Sequence, residues 1–243
     1  MQLAEELELW IACHNSLNSA ECGLHMKIKK LEKLQDLLDE DIAWRKKELI
    51  DIKLLIHLTQ NPTLCRVGIA LLSAHFEGFI KQAANYYVVY VASQKIKLSE
   101  LRTNFAAIHS GKVFDSCAAS DKITVYQKAI DDFLANYTTL NFQVRYSQEH
   151  PVIKTKSNPS SIVVKNIFDS IGLDFSAYET KVHYIDTDLL SNRHSVVHGE
   201  KIHIEISDFD NTFKIITGIM KQFSEQIQEA ATNKNYLKIQ IEQ

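Results

Sequence analysis

The residues best suited to chemistry stand together between Asn192 and Glu200, in the run Asn-Arg-His-Ser-Val-Val-His-Gly-Glu. Arg193 keeps its charge at any ordinary pH, and its planar guanidinium can grip a phosphoryl group through two parallel hydrogen bonds. His198 supplies an imidazole, which can give or take a proton. A fixed cation beside a proton carrier suits reactions at a phosphate. On an ideal helix the five-residue spacing turns Arg193 and His198 about 140° apart. They meet at one point only if the helix unwinds near Gly199 or if a second copy of the chain completes the site. His194 and His198, four apart, do share a face, the spacing that holds a metal on a helix, with His203 as a candidate third ligand and Glu200 or Glu205 nearby. Ser195 stands where the HEXXH glutamate would be, which weakens the metal alternative. Ser195 has no His/Asp arrangement that would make it a nucleophile. The purely structural alternative for Arg193 is an ion pair with Asp188 or Glu200 that closes the helix end.

Positioning these residues is the task of a helix that begins near Asp186-Thr187-Asp188. Leu189, Leu190, Val196 and Val197 anchor it, and Gly199 ends it by taking a left-handed conformation without strain. Upstream, Asn61-Pro62 is a helix start, with asparagine as cap and proline in the first turn. The helix begun there can run to about Ser93. Its apolar residues (Val67, Ile69, Leu71, Leu72, Phe76, Phe79, Ile80) surround nearly the whole cylinder, so it is expected to be the central buried helix. Glu77 in such surroundings needs a partner or a polar cleft. It either pairs structurally with an arginine or faces the Arg193–His198 site and orients it.

The motif Arg193-x4-His198-Gly199, after a Leu-Leu-rich helix, resembles the signature of HEPN ribonucleases. The stretch Cys65–Lys81, with Ala74-His75-Phe76-Glu77-Gly78-Phe79 inside it, is similar to the corresponding helix of the RiboL-PSP-HEPN branch, found among bacterial toxin and defence proteins. The likeness covers the chain from about Asn61 to near Ala231. It implies an all-α HEPN-type bundle and a metal-independent endoribonuclease without cofactor, built as a homodimer whose two motifs face one cleft. It further implies that Arg193, His198 and Glu77 are catalytic, and that an antitoxin or defence-system partner restrains the activity. Many members carry asparagine or aspartate directly after the arginine. This chain has His194 there, and His194 and Lys201 are the expected substrate contacts. A HEPN scaffold without catalysis, binding a partner or nucleotide, is the alternative.

Composition agrees with a helical protein. In 243 residues there are only 7 glycines and 3 prolines, too few for a turn-rich β architecture. The formal net charge of −3 argues against a generally basic coat, though RNA needs only a local positive groove. Cys13, Cys22, Cys65 and Cys117 form no CxxC pair, which suits free thiols in a reducing cytosol. The first residues lack the basic and apolar regions of a signal peptide, and the apolar patches around Ile69–Phe79 and Tyr86–Ala92 are interrupted, so a cytoplasmic protein with no membrane contact is expected.

Two segments are expected: an N-terminal helical extension over residues 1–60 and the HEPN-like domain over 61–243. In the extension, Leu3, Leu7, Trp10, His14 and Leu17 have a coiled-coil spacing that Leu24, Ile28, Leu31, Leu38, Ile42, Leu49, Ile52 and Ile56 continue, with Gln35 and Arg45 as faults on the seam. A single rod of roughly 80 Å or a hairpin broken at Asn15–Gly23 would satisfy it. Further along, helices are expected over 98–118 and 121–137, with Ser99 and Asp121 as caps. A mildly basic loop with a short strand at Val152–Ile153 comes next. The last expected elements are a helix from Pro159 to Ile171, an extended segment Lys201–Ile206 and a long helix capped within Ser207–Asp210.

Overall fold

The computed structural model describes residues 26–155 and 159–238. Seven α-helices stand in it: α1 (Leu31–Thr59), α2 (Pro62–Ser93), α3 (Thr103–Ala118), α4 (Ile123–Tyr137), α5 (Ser161–Ile171), α6 (Asn192–Val197) and α7 (Ile206–Thr232). A widened π-helical segment, Tyr184–Ser191, runs straight into α6. Among the described residues there is no strand, only two isolated bridges, Lys97 with Asn141 and Leu101 with Leu237. The fold is all-α.

Helix α2 is the axis of the bundle. Asn61 caps it by accepting from the Thr63 amide at 3.0 Å, with Pro62 in the first turn, as the local sequence dictates. Its buried positions form one wide face over the first half (Ile69, Leu72, Phe76, Phe79, Ile80) and lie all round only from Ala83 to Val91. Val67, expected in the core, is 47% exposed and Leu71 is half-buried. Taken whole, α2 is long and apolar enough to cross a bilayer, although its separate apolar patches are not. Here half of that stretch is buried inside the protein by neighbouring helices. Helix α1 runs antiparallel to α2, with Ile56 beside Gly68, Arg45 beside Gly78, and Ile28 bonded to Ser93. Helix α7 runs parallel to it, with Phe209 at Gly68, Phe223 at Phe79 and Tyr236 at Tyr90.

The stripe Leu38, Leu49 and Ile56 expected of the extension is fully buried, but against this bundle. Residues 31–59 thus add one helix to the core around α2. The earlier part of that seam, Leu3 to Leu24, and the expected break at Asn15–Gly23 lie outside the described residues. Arg45, the fault on the seam, is buried: its Nε bonds Asp41 at 3.1 Å and its guanidinium lies over the Trp44 ring at 4.5 Å. Room for it comes from Gly78, where an added Cβ would sit 2.6 Å from Arg45 Nη1.

Gly68 plays the same part at the triple contact of α1, α2 and α7. A Cβ there would meet Phe209 Cε2 at 2.6 Å and Ile56 Cδ1 at 3.1 Å. Alanine would return roughly 0.5–1 kcal/mol of helix propensity, while overpacking a tight core costs about 1–3 kcal/mol. Gly68→Ala is therefore expected to lower the denaturation midpoint, by about 1 kcal/mol of stability or somewhat more, measured by urea unfolding. An unchanged or raised midpoint would show that the Phe209 ring yields freely.

Several local expectations change in three dimensions. Helix α3 begins only at Thr103, after a short turn at Leu98–Glu100, and neither α3 nor α4 has a side-chain cap at Ser99 or Asp121. Ser120 Oγ instead accepts from the Lys122 amide. Val152–Ile153 is not a strand: both amides donate to Asn85 Oδ1, and Asn85 Nδ2 donates to the Ile153 carbonyl, so one buried asparagine on α2 pins the loop. Helix α5 begins at Ser161 rather than Pro159, is capped by Ser160, and ends at Gly172 with φ +75°. Helix α7 begins at Ile206, ahead of the expected cap, with Glu205 before it.

Candidate active site

The motif helix is built from two chemistries. Ile185 and Leu189 are buried anchors within the π-helical segment. Asp186, expected to open the helix, lies inside it and caps α5, accepting from the Ser161 amide at 2.7 Å and from its hydroxyl at 2.5 Å. From Tyr178 and Lys181, bonded to Gln226 and Gln222 on α7, the chain returns along the bundle to Arg66 near the start of α2. It thus runs antiparallel to α2. A π turn adds a residue to the helical repeat and so re-aims every later side chain on that helix. Arg193 is among the first side chains re-aimed in this way.

The end of α6 is a Schellman turn. His198 N–H bonds the His194 carbonyl at 3.0 Å, Gly199 N–H the Val196 carbonyl at 3.2 Å, and Glu200 N–H the Ser195 carbonyl at 2.9 Å. Gly199 takes φ +72°, the left-handed value that ends a helix without a Cβ penalty. Because His198 still makes its helical hydrogen bond, the helix does not unwind before it. Arg193 and His198 in one chain therefore stay about 140° apart.

Arg193 is half-buried and His198 is exposed. Among the described residues, no hydrogen bond or ion pair engages the Arg193 guanidinium. Both carboxylates that could have closed on it are occupied: Asp188 lies 3.5 Å from His183, and Glu200 accepts from Ser195 Oγ at 2.6 Å. The imidazoles of His194 and His198 lie close, with ring centroids 4.2 Å apart. Lys201 is exposed just beyond the turn. His203, the candidate third metal ligand, is bonded to Glu205 at 2.7 Å. No group of three His, Cys, Asp or Glu side chains stands together for a metal ion among the described residues.

Glu77 is half-buried on α2, the helix against which the motif helix packs. Its Oε1 accepts from the buried Thr155 hydroxyl at 2.5 Å, and no ion pair or hydrogen bond joins it to Arg193 or His198 among the described residues. Eleven residues along α2 bring it back to the face of Arg66, about 16 Å further up the helix. Its present work is to hold the loop that precedes α5.

Sequence reasoning passes over Arg66. Its Nη2 donates to the Glu200 carbonyl at 2.9 Å, tying the first turns of α2 to the residue after the motif's glycine. No local pattern marks it, because its partner lies 134 positions away. Val197, an expected anchor, is instead 60% exposed immediately before His198.

The site offers a guanidinium with no counter-ion among the described residues, two imidazoles and a lysine, near a rigidly capped helix end. Such a surface can bind an anionic group and move a proton beside it. Compared with known families, residues 40–229 match the model of the RiboL-PSP-HEPN family. No curated protein and no solved structure matches the chain.

Proposed function

For a chain that belongs to the RiboL-PSP-HEPN family, we propose the activity of a metal-independent endoribonuclease, with Arg193 and His198 acting at a site shared by two copies. One observation carries the reading: among the described residues, no acidic side chain pairs with the half-buried Arg193 or the exposed His198 at the capped helix end. A structural arginine at a helix terminus would be expected to close on Asp188 or Glu200.

In this reaction the ribose 2′-oxygen attacks the adjacent phosphorus and the bond to the 5′-oxygen breaks. The products are a 2′,3′-cyclic phosphate and a 5′-hydroxyl. His198 of one copy takes the 2′-hydroxyl proton, and the partner's His198 gives a proton to the departing 5′-oxygen. Arg193 stabilises the charge that gathers on the non-bridging oxygens. His194 and Lys201 contact neighbouring phosphates. DNA is not a substrate because it lacks the nucleophile. The 140° divergence within one chain supports the two-copy arrangement. Glu77 orients the site from α2 while also holding the Thr155 loop. The same family resemblance carries the rest of the proposal: a toxin or phage-defence effector in the cytoplasm, restrained by an antitoxin or partner subunit.

The test is incubation of the purified protein with total RNA in EDTA. Cleavage is expected to persist, and the fragments should accept a 5′ label from polynucleotide kinase without prior phosphatase treatment. Cleavage lost in EDTA and restored by zinc or manganese would move the chemistry to a His194–His198 metal site. RNA left intact under both conditions would make the protein a binding module.

A further inference from the structure

Among the described residues Arg66 makes one hydrogen bond, to the Glu200 carbonyl, and leaves its Nε–H buried with no partner. An unsatisfied buried donor is a cost that an apolar side chain of similar length would not carry. The bond it does make falls at a sensitive place. Glu200 is the residue through which the motif turn closes: its amide bonds the Ser195 carbonyl, its carboxylate the Ser195 hydroxyl, and its carbonyl accepts from Ile202 as well as from Arg66. His198 stands two residues before it, on a helix end otherwise open to solvent. Helix α2 is the axis of the bundle, with buried side chains along its length, so a clamp from α2 fixes the turn to the packed part of the fold.

We infer that Arg66 is a positioning residue for His198, holding the Gly199–Glu200 turn against α2 so that the imidazole keeps its direction toward the phosphate. Its effect on turnover rests on the nuclease reading, while its effect on the turn does not. Arg66 acts through the Glu200 carbonyl and sets geometry. A displacement of about 1 Å in a reacting group can cost on the order of 100-fold in rate.

The experiment compares Arg66→Met and Arg66→Lys with the parent in the full chain. Arg66→Met is expected to melt at or above the parent temperature, because the orphaned donor is gone. Amide exchange at Gly199 and Glu200 should quicken by roughly 10-fold or more while α2 amides keep their protection. With RNA, kcat should fall about 10- to 100-fold with KM nearly unchanged. Lysine can still reach the carbonyl with one donor, so Arg66→Lys should recover both the turn protection and much of the rate.

Unchanged exchange in Arg66→Met would overturn the proposal, as would a general loss of protection with a lower melting temperature, which marks a plain structural role. A raised KM at constant kcat would make Arg66 a substrate contact instead. If the parent protein does not cleave RNA, the nuclease reading falls, and the exchange data alone decide whether Arg66 holds the turn.

Discussion

His198→Ala is expected to reduce RNA cleavage by about 100- to 10,000-fold, the usual worth of general acid–base catalysis, with no loss of stability. The second half of that statement is what makes the first informative. His198 is exposed, and its ring lies beside the His194 ring. Its backbone bond to the His194 carbonyl survives the substitution, and Gly199 still ends the helix. Removal of the ring leaves no cavity and strands no buried donor. Thermal melting should match the parent within error. Arg193→Ala should cost a comparable factor in kcat, since the guanidinium acts on charge that develops in the transition state. Arg193→Lys should recover part of it, because a lysine supplies charge without the fork. Two folded variants with near-parental cleavage would remove the motif from the chemistry altogether. His194→Ala separates the metal alternative from this one. A phosphate contact predicts a higher KM, whereas a ligand predicts a response to added metal.

How much of this is legible without coordinates depends on how local each cause is. The start of α2 is legible because the cap and the proline act within one turn. The stop at Gly199 is legible for the same reason, since a left-handed residue at a helix end is a single-position demand. The seam of α1 is legible as an apolar stripe but ambiguous in its destination. A stripe of Leu38, Leu49 and Ile56 serves a coiled coil, a hairpin or a bundle equally well. Only Gly68 and Gly78 on another helix show which surface receives it. Arg45 looks like a fault in that stripe and is accommodated because Gly78 gives it space. Ser99 and Asp121 mislead as caps because such side chains signal turns and caps alike. Asp186 has the look of a start to its own helix, yet its carboxylate serves α5, 25 residues away. The π turn has no residue signature. Arg66 and the Thr155–Glu77 bond are long-range pairings, which local sequence patterns do not reveal. The motif itself is legible as chemistry, and its openness, with no counter-ion at Arg193 among the described residues, is not.

That openness also bears on Val197, for which the larger of the remaining effects is expected. A valine 60% exposed beside a catalytic candidate gains nothing from water, while an apolar side chain at the centre of a subunit contact gains from burial. If two motifs face one cleft, Val197 of each copy lies in or beside the contact. Val197→Lys is then expected to weaken self-association by about 100-fold or more, since like charges brought together at an interface cost several kcal/mol. It should abolish cleavage at protein concentrations where the parent is dimeric. The choice of lysine makes the outcome hard to explain otherwise. A cation suits the last turn of a helix through the macrodipole, so α6 should not lose stability. The added charge favours phosphate binding, so RNA affinity should not fall for electrostatic reasons. An inactive monomer that still binds RNA can therefore be assigned to the missing partner, and raising its concentration should restore cleavage. Sedimentation equilibrium gives the association constant, and cleavage assayed over the same concentration range shows whether activity tracks it. A Val197→Lys protein that remains dimeric and active would place the subunit contact elsewhere. A parent protein that cleaves RNA as a monomer would refute the shared site, and Arg193 and His198 would then have to serve separate phosphates.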